Sequence, residues 1–77
     1  MNANYSDVIV HLGERLGAKD RSRLERALEA ERGVARVRTN PRGGQLMVVD
    51  YDPQAISALG VLRSVQAQGF TAQLVGM

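Results

Sequence analysis

The sequence predicts an α+β sandwich of the ferredoxin-like class, a four-stranded antiparallel sheet with two helices on one face in the order β-α-β-β-α-β. Three observations lead there. Four short runs have the side-chain alternation or β-branched content of a strand. Two stretches between them repeat apolar residues at three- and four-residue spacing, the period of a helix that buries one stripe. Each helical stretch links two strands by a crossover, and the right-handed sense of such crossovers puts both helices on the same side of the sheet.

Asp7 to Leu12 forms the first strand, with Val8, Val10 and Leu12 on one parity and Ile9 and His11 on the other. Gly13 to Lys19 holds two glycines among charged residues and reads as a loop. Asp20 or Ser22 then caps a helix, Ser22-Arg23-Leu24-Glu25 having the form of a capping box. Leu24, Ala27 and Leu28 make its apolar face, charged residues three and four apart fill the others, and Gly33 is expected to end it in a left-handed conformation. Val34 to Thr39 is the second strand, where the odd spacing of Val34 and Val37 calls for a bulge or a mixed face. Asn40-Pro41-Arg42-Gly43-Gly44 is a turn by composition, and Gln45 to Tyr51 returns as the third strand with Met47, Val49 and Tyr51 opposite Leu46, Val48 and Asp50. Asp52-Pro53 breaks it. Ser57 caps a second helix to about Gln68 with Ala58, Val61, Leu62 and Val65 as its stripe and Gly69 as its stop. Gly60 weakens that helix by about 1 kcal/mol relative to Ala and leaves room for a close helix contact. Thr71 to Val75 is the last strand.

The chain of 77 residues is read as one domain, 1–77, with residues 1–6 a flexible start. The absence of cysteine excludes disulfides, thiolate nucleophiles and any Cys-based metal site. A net charge of +2 does not mark a nucleic-acid binder, although nine of the ten cations are Arg. No apolar run approaches the ~18 residues of a membrane span, and the first seven residues lack a leader's basic start and hydrophobic stretch, so a cytoplasmic protein without a membrane partner is expected.

A first strand ending at Gly13, the helix spacing Leu24-Glu25-Arg26-Ala27-Leu28, the run Gly33-Val34-Ala35-Arg36-Val37, the closing Tyr51-Asp52-Pro53, and Gln68-Gly69-Phe70-Thr71-Ala72 follow one another along the chain. In that order they resemble the heavy-metal-associated domain of copper chaperones and of the N-terminal regions of metal-pumping ATPases. The resemblance covers almost the whole chain and implies metal handling. In that family a loop Met-x-Cys-x-x-Cys holds a soft monovalent ion on two thiolates. Counted back from Gly33, the cysteine positions here are Gly17 and Asp20, and neither supplies sulfur. No cofactor is therefore expected. The alternative is a transition metal ion such as zinc, nickel or copper on His11, Glu14 and Asp20, against which stand the parity of His11 and the positive charges of Arg15 and Lys19. Met47, at core parity, is read as packing rather than as a ligand.

Residues 32–49 carry Arg32, Arg36, Arg38 and Arg42 and no acid, a local charge of +4 against −2 for the rest. In the expected fold Arg42, the altered loop and Phe70 share one pole. In the resembled family an aromatic at the Phe70 position lies near the metal loop. Here it is a candidate cover for that loop, packed on Leu16, the alternative being a plain core residue. Arg36 and Arg38 share a strand face, and with Ile9, His11, Leu46 and Val48 they compose a candidate interaction surface, apolar in the middle and cationic at one side. Solvated strand residues are the alternative there.

The primary functional expectation is a non-catalytic binding module, a protein-interaction or adaptor domain whose partner has an acidic surface, the alternative partner being a second copy of the chain docked through the open sheet face. The alternative is a metal-binding or metal-transport protein using non-cysteine ligands or ligands shared with a partner. RNA or single-stranded DNA binding is disfavoured, since base stacking needs aromatics on the central strands, where the first strand has none and Tyr51 has the buried parity. An enzyme is not expected: one His, no Cys and no Gly-rich phosphate loop leave no nucleophile and base to pair.

Overall fold

Alternation in the first strand decides which way the sheet faces. In β1 (Ser6–Leu12), Val8, Val10 and Leu12 are buried while Asp7 and Ile9 are exposed and His11 is half-buried. The computed structural model describes residues 4–39 and 44–75. The other elements are α1 (Ala18–Glu29), β2 (Val34–Thr39), β3 (Leu46–Tyr51), α2 (Ala58–Ala67) and β4 (Ala72–Val75), and the strands lie in the order β2-β3-β1-β4, all antiparallel. This is the ferredoxin-like sandwich. Ser6, expected in a flexible start, pairs with Tyr51 as the first residue of β1.

The core lies between the inner face of the sheet and the two helices. Leu24 and Leu28 of α1 and Val61 and Val65 of α2 meet Val8, Val10 and Leu12, together with Val37, Met47, Val49 and Tyr51; Ala58 and Leu62 pack at its margin. Met47 is completely buried, as its parity required.

Two helix ends differ from expectation. α1 begins at Ala18, with Gly17 as its N-cap and no side-chain cap, so neither Asp20 nor Ser22 caps it. Ser22 lies a turn inside α1, so the capping box is not formed, and Glu25 accepts a hydrogen bond from the Thr39 hydroxyl on β2. At the other end α1 closes at Ala30, and Gly33 lies three residues on, in the turn that Val34 N–H closes onto the Glu31 carbonyl at 3.2 Å. Its φ of +97° is one that only glycine adopts without strain, so Gly33 shapes the turn rather than the helix end. In α2 the expected signals hold: the Ser57 hydroxyl accepts from Gly60 N–H at 2.9 Å, and Gly69 follows the Gln68 cap with φ +96°. The close contact at Gly60 is not with another helix, since a Cβ there would stand 2.9 Å from Ile56 and 3.3 Å from the cap hydroxyl.

Val34 pairs with Tyr51 and Arg36 with Asp50, leaving Ala35 as the extra residue of a bulge. The bulge places Val34 and Val37 on the core side despite their odd spacing. The turn at 40–43, with Arg42, lies outside the described residues. Among the described residues no helix is long and apolar enough to cross a membrane.

Candidate functional site

The end of β1, the start of β3 and the start of β4 are tied together at one pole. Leu12 N–H donates to the Gln45 carbonyl at 2.6 Å, Gly13 N–H to the Thr71 carbonyl at 2.8 Å, and the Gln45 side-chain amide to the Leu12 carbonyl at 3.1 Å. Gly13 must be small, because a Cβ there would collide with the Thr71 hydroxyl. From this anchor the loop passes to Gly17, whose Cβ position is open: nothing lies within 4 Å of it. Asp20 sits exposed in the first turn of α1, where its charge complements the helix dipole, and its carboxylate pairs with Arg23 one turn on at 3.6 Å. The Arg23 guanidinium in turn lies over the Phe70 ring, 5.3 Å from its centroid.

Leu16 and Phe70, for which a loop cover and a plain core place were the two readings, are both buried and both belong to the main core. The structure does not bring His11, Glu14 and Asp20 together. His11 lies on the open face, beside a shallow cavity of about 280 Å³ that it lines with Gly13, Thr71, Ala72 and Gln73. Among the described residues no group of three or more His, Cys, Asp or Glu could hold a metal ion.

The second candidate surface is the open face of the sheet. Strand register arranges it in three rows: Arg36, Asp50 and Asp7; then Arg38, Val48, Ile9 and Val75; then Leu46, His11 and Gln73. Ile9, Leu46 and Val75 are the exposed hydrophobics, at 39%, 49% and 42%. Arg38 is paired on this face, its guanidinium donating to Asp50 across the strands at 2.9 Å. Sequence reasoning had not placed Asp7, Gln73 or Val75 on this surface, nor Arg23 at the loop. Strand parity could have found the first three, and the three-residue step from Asp20 the last.

No protein-family profile matches the sequence, and no curated protein matches it. Shape is more informative. A copper binding domain of HMA7, a P-type ATPase, superposes with a TM-score of 0.82 at 18% identity, covering 91% of this chain and 93% of that one. Oxidized MerP from Ralstonia metallidurans CH34 gives 0.82 at 14% identity over 94% of this chain and 99% of that one. The chain has the fold of the heavy-metal-associated domains. The N-terminal soluble domains of Bacillus subtilis CopA share it too, with a TM-score of 0.78 at 18% identity over 91% of this chain and 47% of that one. On this fold the chain carries an open glycine at Gly17 and an Arg-paired aspartate at Asp20, and it contains no cysteine at all.

Proposed function

We propose that this chain is a non-catalytic protein-binding module, an interaction or adaptor domain that uses the heavy-metal-associated scaffold without thiolate metal carriage. The observation that supports it most directly is the arrangement at the loop. Asp20, at one of the cysteine positions, is engaged by Arg23, and Arg23 by Phe70, so a cation arriving there would compete with a guanidinium already in place. The open face supplies the docking surface, with exposed Ile9 at its centre, exposed Leu46 and Val75 toward its margins and Arg36 at its corner. Two partners suit such a face: a protein with acidic side chains toward Arg36, or a second copy of the chain.

The likeness to a copper binding domain favours a second reading, metal binding on non-cysteine ligands or on ligands shared with a partner. Calorimetric titration of the full chain with Cu(I), Zn(II) and Ni(II) tests the two. The protein-binding reading expects no stoichiometric site of submicromolar affinity. Such a site, abolished by His11→Ala or Asp20→Ala, would establish the metal reading in its place.

A further inference from the structure

We infer, building on the protein-binding reading, that the occupant of the open face is a second copy of this chain. Charge is the first argument. The described charges of the face balance: Arg36 and Arg38 on β2 against Asp50 on β3 and Asp7 on β1, with His11 as the remaining titratable group. An acidic partner would meet two carboxylates along with two guanidinium groups, whereas a copy presents both signs to both signs.

Geometry is the second. Strands lie about 4.8 Å apart and same-face neighbours along a strand about 6.8 Å apart, so four strands by three rows have a nearly square outline of about 14 Å each way. Stacked sheets cross either nearly aligned or near a right angle. A two-fold axis in the interface along the diagonal from Arg36 to Gln73 crosses the two sheets near a right angle and interleaves the grids. Arg38 of each copy then falls between Asp50 and Asp7 of the other. Val75 falls between Leu46 and His11, and the Ile9 and Val48 pairs cross at the centre. A two-fold parallel to the strands would instead set Asp50 over Asp7, like charge on like. In the diagonal arrangement Arg36 meets its own copy, but at a corner of the face where the exposed side chain turns into water. Four strands of about six residues span about 20 Å each way, a small interface, so weak and reversible association is expected.

Sedimentation equilibrium of the full chain from about 1 μM to about 1 mM reads this directly. A reversible dimer is expected, weakened about 30-fold or more by Ile9→Asp at the centre and by Arg38→Glu at the charge contact, with the circular dichroism of each variant unchanged. Mixing the Arg38→Glu chain with an Asp7→Arg/Asp50→Arg chain is expected to restore association as a heterodimer, which a merely misfolded variant could not do. A monomer throughout, or a dimer indifferent to both single substitutions, overturns the inference. A monomer whose Arg36 and Arg38 resonances shift on adding poly-glutamate overturns it in favour of an acidic partner and leaves the protein-binding reading standing. Submicromolar metal binding removes that reading whatever the oligomeric state.

Discussion

The guanidinium carbon of Arg23 stands 5.3 Å from the centroid of the Phe70 ring, and the same side chain reaches Asp20 at 3.6 Å. Arg23 and Asp20 are both more than half exposed, so their ion pair contributes little, and the stacking on a buried ring is the larger of the two interactions. Arg23→Ala is therefore expected to lower unfolding free energy by about 1 kcal/mol. A double-mutant cycle checks the source: coupling between Arg23→Ala and Phe70→Leu is expected to exceed that between Arg23→Ala and Asp20→Ala, and to survive high salt better.

The loop offers a gain-of-function test of its alignment with the heavy-metal-associated fold. A side chain at Gly17 meets nothing, and Asp20 is exposed in the first turn of α1, so Gly17→Cys with Asp20→Cys places two thiols at the positions counted back from Gly33 without a steric conflict. The double variant is expected to bind Cu(I) stoichiometrically in competition with a chromogenic chelator, since paired thiolates suit a soft ion. No gain over the parent chain would mean that residues 17 and 20 are not the positions aligned with the family's cysteines.

Two glycines predict opposite outcomes. Gly17, with φ −71° and an empty Cβ position, is an N-cap without a side-chain hydrogen bond, so Gly17→Ser is expected to stabilise by about 0.5 kcal/mol. Gly33, with φ +97°, would press a Cβ to 2.8 Å from both Ala55 and Ile56, and Gly33→Ala is expected to destabilise by about 2 kcal/mol or more. Urea unfolding of both variants checks the sign difference.

Core parity was readable in the sequence because a two-residue period leaves little choice: Val8, Val10 and Leu12 face the helices, and so do Met47, Val49 and Tyr51. The start of α1 was not. Ser22 and Glu25 have the spacing of a cap, yet Glu25 bonds to Thr39, fourteen residues away, and Gly17 opens the helix from a loop whose path depends on the tie between Gly13 and Thr71. The open face was half legible. Ile9, Leu46 and Val48 followed from parity, whereas the pairing of Arg38 with Asp50 depends on the register between β2 and β3, which no local pattern states.

That register supplies the last prediction. The bulge leaves two residues, Ala35 and Arg36, against the single step from Tyr51 to Asp50. Deleting Ala35 leaves Val34 opposite Tyr51 and Arg36 opposite Asp50 in a regular ladder, so Val34 and Val37 keep the core side and Arg36 and Arg38 the open side. The deletion is expected to fold, at a cost of about 1 kcal/mol for the altered twist. Deleting Ile9 from β1 is different, because one residue removed from a regular strand turns every side chain on one side of the cut to the other face, and either Val8 or Val10 and Leu12 would leave the core. That variant is expected not to fold. Amide dispersion in a proton–nitrogen correlation spectrum separates the two, and collapse of the Ala35 deletion would mean that the bulge itself, not the facing it permits, holds β2 in place.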